Sequence, residues 1–225
     1  METAVQPRRK DRLWILLGLV IVGITLAGLM LAAFRDRTGV QQSVGSFLIP
    51  GTSMEPTLRI GERAFANMRA YDGRAPARGD IVVFKLPRDE TTIFVKRIVG
   101  LPGEKLQMKN GILHIDGKAV PTADAGTYKL VSQGEPEKTA RLKREMLPNG
   151  VGATTIDMVD NGLYDNTQVY PVPEGHYFML GDNRDNSTDS RVLNQIGYIP
   201  RANVVGRISW IFWSPDLSRI GTVPK

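Results

Sequence analysis

The chain has 225 residues, a formal net charge of +6, two histidines and no cysteine. That length holds one ordinary domain plus an appendage; the missing thiols exclude disulfides and thiolate catalysis, and two histidines leave no basis for a histidine-rich metal site. A basic chain suits nucleic acid or anionic lipid, yet it carries no zinc-finger spacing, basic helix or aromatic-glycine RNA-binding run, so no nucleic-acid partner is expected.

Residues 1–12 form a basic tail containing Arg8, Arg9, Lys10 and Arg12. Leu13 to Phe34 then carries no charged residue, and as a helix this stretch reaches roughly 33 Å, the thickness of a bilayer core. A buried core helix and a cleavable secretory signal are the other readings of such a run. It is long for a signal's apolar region and lacks a small-x-small end, which favours a membrane anchor. Only Arg35 and Arg37 follow it, so the positive-inside rule predicts a cytoplasmic tail, one crossing of the cell (inner) membrane, and residues 35–225 on the extracytoplasmic side.

Beyond the span, Ser46 to Leu58 reads SFLIPGTSMEPTL. Pro50, Gly51 and Pro56 fix a bend, which places Ser53 on a constrained loop. A nucleophile wants such a place, exposed and rigid, with its backbone N–H available to an oxyanion. A plain turn, or a capping box made by Thr52 and Glu55, fits the same residues. The chain has neither G-x-S-x-G around Ser53 nor any S-x-x-K.

The body that follows is a series of short strand-like runs: residues 77–84, 92–99, 105–109, 112–116, 176–180 and 204–213. Asn110-Gly111 predicts a type I′ hairpin and Leu101-Pro102-Gly103 a type II turn. Together they predict a mainly β, antiparallel domain without a long amphipathic helix. In Thr91 to Glu104 apolar residues occupy both strand faces around Lys96, as in a strand covered on both sides. An ammonium buried there moves toward its neutral form; reaching a pKa of about 7 takes roughly 4–5 kcal/mol. A neutral amine is a competent general base. A lysine snorkelling from a sheet edge is the plainer alternative.

Residues 121–171 lose this pattern and read as a peripheral extension. Ser132 to Glu137 look like a solvated loop, and Lys138 to Leu147 fit helix or strand equally. His114 has an ordinary structural role. In Val204 to Trp213, the residues Val204, Ile208, Trp210 and Phe212 share one face and are expected in the core, with membrane contact by the tryptophans as the alternative. Residues 181–191, GDNRDNSTDSR, pack Asp182, Arg184, Asp185, Asp189 and Arg191 directly after an apolar strand. A strand-end loop, a calcium site and a bracket of paired carboxylates and guanidiniums are the three readings. The EF-hand pattern is not met, lacking its glycine and its closing glutamate.

IPGTSMEPTL, FVKRIVGLPGE and GDNRDNSTDSR, in that order, resemble the motifs of bacterial type I signal peptidase (leader peptidase), a membrane-bound Ser–Lys serine endopeptidase. RGDIVVF and the tail from Val204 to Gly221 add weaker matches. The resemblance implies an antiparallel β-domain with a smaller β extension, similar to self-cleaving SOS repressors. It implies Ser53 as nucleophile, Lys96 as general base and Ser187 as the hydroxyl that orients the lysine. It further implies Asp189 and Arg191 as a structural ion pair with Arg97 nearby, Met54 as the residue after the serine, and the Ser53 N–H in the oxyanion hole. No metal or cofactor is required. The partners implied are signal-peptide-bearing preproteins, cut after small residues at the first and third positions, and the lipid bilayer. Gly51 departs from members that carry a serine there as a second oxyanion donor, and Phe94 stands where some have tyrosine. A dedicated peptidase of the same fold serving one conjugation or secretion apparatus, and a non-catalytic tethered β-domain, are the rival expectations.

Overall fold

The computed structural model describes residues 43–130 and 137–225. The predicted span, its basic tail and most of the predicted loop at Ser132 to Glu137 therefore lie outside the described residues. Among the described residues, no helix is long and apolar enough to cross a membrane.

The main sheet is antiparallel with seven strands. Its spatial order is β1 (Val44–Leu48), β2 (Arg63–Asn67), β14 (Val204–Trp213), β3 (Ile81–Leu86), β4 (Asp89–Gly100), β12 (His176–Leu180) and β13 (Ile199–Pro200). β3 is central because its Ile-Val-Val-Phe run is apolar on both faces. Ile81 and Val83 pack into one buried cluster with Ile49, Met54 and Ile211. Val82 and Phe84 pack into another with Ile98 and Met179. β4 pairs with β3 so that Val82 faces Lys96 and Ile81 faces Arg97. Thus Lys96 lies in a strand packed on both sides, as its flanking residues predict.

A four-stranded sheet, β11 (Tyr170–Pro171), β5 (Lys105–Lys109), β6 (Ile112–Ile115) and β7 (Lys118–Ala119), continues the chain. Asn110 and Gly111 both adopt positive φ, +48° and +71°, as a type I′ turn requires. Gly103 is likewise left-handed, and the Glu104 N–H closes the turn on the Leu101 carbonyl. The segment expected as a peripheral extension supplies a three-stranded sheet, β10 (Gly152–Asp157), β9 (Lys138–Met146) and β8 (Thr122–Leu130). The run that fits helix or strand equally is strand β9. Leu142 and Met158 pack against a small core of Leu130, Ala140 and Ile156.

The aromatic face expected in β14 does not stay inside. Bulges between Ile208 and Trp210 and between Ile211 and Trp213 break the two-residue alternation, because each inserted residue turns the following side chains to the other face. Val204 and Ile208 are buried, whereas Trp210 and Trp213 are 44% and 47% exposed. Phe212 stacks on Phe65 with ring centroids 4.1 Å apart.

Candidate active site

Ser53 sits in a closed turn between β1 and β2. Ile49 and Gly61 pin its base: the Ile49 N–H donates to Glu62 O, and the Gly61 N–H donates to Ile49 O. Within the loop, the Glu55 N–H bonds the Thr52 carbonyl and the Leu58 N–H bonds the Met54 carbonyl. The capping box is not formed, since the Glu55 carboxylate accepts from the Ile60 N–H instead. Met54 is the loop's apolar anchor, buried with Ile49, Leu58, Ile81 and Val83. From the far side, Arg219 pairs with buried Glu62 and donates to the Thr57 carbonyl at 2.8 Å. The loop is therefore held at both ends and from below. Its conformation is set before any substrate arrives.

Lys96 Nζ lies 2.7 Å from Ser53 Oγ and 3.2 Å from the Val95 carbonyl. The lysine is 3% exposed. Burial is the main cause that brings its pKa down to about 8, opposed by the carboxylates of Asp189 and Asp182, which favour the ammonium. Those two charges limit how far burial lowers it. The Phe94 ring, 5.7 Å from Nζ, completes the apolar surroundings. At this distance an ammonium can donate to Ser53 Oγ, and a neutral amine can turn its lone pair to the same hydroxyl.

The loop at 181–191 closes over this pair. Gly181 is the point of closest approach: a Cβ there would collide with both Ser187 Oγ and the Ser53 carbonyl oxygen. The Asn183 N–H donates to that carbonyl at 3.1 Å, and Asn186 Nδ2 donates to Thr52 Oγ1 at 2.8 Å. Ser187 is buried beside Gly181, but its hydroxyl has no hydrogen-bond partner. The amine is oriented by the Val95 carbonyl instead, so the predicted lysine-orienting contact from Ser187 is not made in this state. Among the described residues, the Ser53 N–H donates to no protein group. At Gly51 an added Cβ would meet nothing within 4 Å.

Of the three readings of the charged cluster, the bracket is the one formed. Asp189 and Arg191 make a buried two-point pair at 2.9 and 2.8 Å. Burial alone would raise the Asp189 pKa, but the Arg191 guanidinium and the N–H groups of Gly181 and Arg191 outweigh it and hold the carboxyl below its usual range. Arg97 does not join this pair. It makes its own two-point bridge to Asp182, at 2.8 and 2.7 Å, because consecutive strand residues point to opposite faces and Arg97 leaves the strand away from Lys96. Glu145 on β9 pairs with Arg184, a contact for which the sequence holds no signal. One carboxylate amid Lys143, Arg144 and Met146 reads as a solvated face.

The family model described as signal peptidase, peptidase S26, matches residues 17–213. Signal peptidase I of Rickettsia typhi is 34% identical over 198 residues, covering 76% of this chain and 73% of that protein. Signal peptidase I of Rickettsia conorii is 40% identical over 198 residues, covering 76% and 72%. A crystal structure of a signal peptidase I from Enterococcus faecalis is 27% identical, covers 60% of this chain and 98% of its own, and superposes with a TM-score of 0.35.

Proposed function

The chain belongs to the signal peptidase family, peptidase S26, and on that premise we propose that it removes signal peptides with Ser53 as nucleophile and Lys96 as general base. The observation that carries this assignment is the 2.7 Å separation of Lys96 Nζ and Ser53 Oγ with the amine buried. The preprotein's extended segment lies along the free edge of β1, where backbone pairing supplies affinity whatever the side chains. Neutral Lys96 takes the Ser53 proton as Oγ attacks the scissile carbonyl, and the Ser53 N–H, which donates to no group among the described residues, meets the oxyanion. Protonated Lys96 then gives its proton to the leaving amine. The amine, neutral again, activates the water that hydrolyses the acyl-enzyme. Asp189, Arg191, Arg97 and Met54 hold the two reacting side chains in register. The direct test is to incubate the purified chain with a preprotein and map the cut, with Ser53→Ala as control. A cut at the signal junction that persists in that variant would end the proposal.

Because the reactive form is the neutral amine, kcat/KM should rise with pH through about 8. Near neutrality only about a tenth of the molecules then hold the amine unprotonated. A rate profile flat from pH 6 to 9.5 would exclude Lys96 as the base.

The reading extends to the bilayer. Leu48, Trp210 and Trp213 are exposed near the β1 end of the main sheet, and tryptophan favours the membrane interface. With residues 13–34 as the anchor and the tail in the cytoplasm, this face would meet the outer headgroups. In vesicles, a Trp14→Phe chain should still be quenched by bromine-labelled lipid through Trp210 and Trp213. Unquenched fluorescence would place this face in water.

A further inference from the structure

We infer that Glu145 is a positioning residue for the Ser53–Lys96 reaction, reaching into the active-site loop from the three-stranded sheet that the sequence reads as peripheral. This rests on the dyad assignment above. Glu145 is 2% exposed on the central strand of that sheet. Its two carboxylate oxygens accept from Nη1 and Nη2 of Arg184 at 2.7 and 2.6 Å. A two-point contact fixes the plane of a guanidinium as well as its position. With that plane fixed, Arg184 Nε donates to the Gly181 carbonyl at 3.2 Å, while the Arg184 carbonyl accepts from Arg191 Nη2 at 2.6 Å. Arg191 holds Asp189, and Asp189 accepts from the Gly181 N–H. Gly181 is therefore gripped at its N–H and at its carbonyl by opposite ends of one charged chain whose outer anchor is Glu145.

Gly181 is also the residue against which the Ser53 carbonyl and Ser187 pack without room for a Cβ. A shift of the loop moves the Ser53 backbone and, with it, Oγ relative to Nζ. The same sheet grips the loop a second time, where the Arg184 N–H donates to the Ile156 carbonyl and the Ile156 N–H to the Asp182 carbonyl. Those backbone bonds fix the loop's height, and the Glu145 bridge fixes its rotation. A displacement of about 1 Å between reacting groups costs on the order of a hundredfold in rate.

Three variants of the full chain, assayed on a signal-peptide substrate, test this. Glu145→Gln keeps the shape and loses the charge; it should lower kcat about 10- to 100-fold with KM within about threefold. The pH midpoint should stay near 8, because the charges acting on Lys96 are those of Asp189 and Asp182. A midpoint moving up toward the ordinary lysine value would instead mean that the site had opened to water, which overturns a positioning role. Glu145→Asp, which can still pair, should recover part of the lost kcat. The double variant Glu145→Leu with Arg184→Met replaces the bridge with apolar packing; it should fold as well as the parent and remain slow. Full activity in either Glu145→Gln or the double variant overturns the inference, and the double variant decides alone should the single change fail to fold. If Ser53→Ala or Lys96→Met retained activity, the dyad itself would be wrong, a result these variants do not mimic.

Discussion

Lys96→Met should abolish cleavage and at the same time make the protein more stable at neutral pH. The loss of activity follows from the dyad: removing one member of a nucleophile–base unit costs on the order of ten-thousandfold or more in kcat, about as much as removing the whole unit. Ser53→Ala should therefore match it, and Lys96→Met on top of Ser53→Ala should cost little further. The stability gain follows from the same burial that makes the amine a base. The folded pKa, about 8, lies below the ordinary lysine value of 10.5, so the unfolded chain binds the proton more tightly than the folded one. Native Lys96 thus destabilises the fold by roughly 3 kcal/mol at any pH below about 8, and the penalty fades as pH rises toward 10.5. Methionine fills similar space with no charge to desolvate. Part of the gain is offset by the lost hydrogen bonds to Ser53 and the Val95 carbonyl. Urea denaturation at pH 6.5 and at pH 10.5 reads the effect. The variant should exceed the parent at the lower pH, with the gap narrowing at the higher. A variant less stable than the parent at pH 6.5 would show that Lys96 is not held against its hydration, and near-parental cleavage would remove it from the mechanism.

The parts of this fold legible in the sequence are those set by local chemistry. Asn110-Gly111 specifies its turn through the positive φ that those residues tolerate, and the alternation on either side fixes which faces of β5 and β6 are buried. Lys96 is legible because the apolar residues flanking it on both faces leave little water near the strand, whatever its partners. Pairing among the charges of residues 182–191 is not legible. Three aspartates and two arginines within ten residues, with Arg97 and Glu145 far off in sequence, allow several pairings, and backbone geometry alone selects Asp182 for Arg97 and Glu145 for Arg184. The exposure of Trp210 and Trp213 is hidden for a different reason. A bulge changes the register without changing the composition, so the apolar run in β14 reads as core although its outer end is not. The approach of Ser187 to Gly181 without a bond to Lys96 depends on a separation finer than any motif encodes.

Asp182→Asn should be strongly destabilising, and it should also lower the pH at which the remaining enzyme becomes active. Arg97 is 1% exposed and makes three bonds: two to Asp182, and one from Nη1 to the Gly79 carbonyl at 2.9 Å. Asparagine can accept one of the Asp182 bonds but carries no charge, so the buried guanidinium keeps the field of the Glu145 and Asp80 carboxylates and loses the one carboxylate bonded to it. Removing one partner of such a pair costs about 3–5 kcal/mol, far more than an exposed pair. Arg97→Met should cost a similar amount by stranding the carboxylate, whereas Arg97→Met combined with Asp182→Leu should recover most of the loss, since no charge is then left buried alone. The second effect follows because Asp182 is one of the two carboxylates that favour the Lys96 ammonium. Without it the amine loses its proton more easily, so the midpoint of the rate profile should move below 8 even as the folded fraction falls. Urea denaturation and a pH–rate profile on the same Asp182→Asn preparation separate the two. A loss under about 1 kcal/mol would mean that water reaches Arg97, and an unmoved midpoint would mean that solvent screens Asp182 from the amine. Either result would contradict the burial on which the base depends, because Arg97 and Lys96 are neighbours in one strand and the same packed sheet keeps water from both.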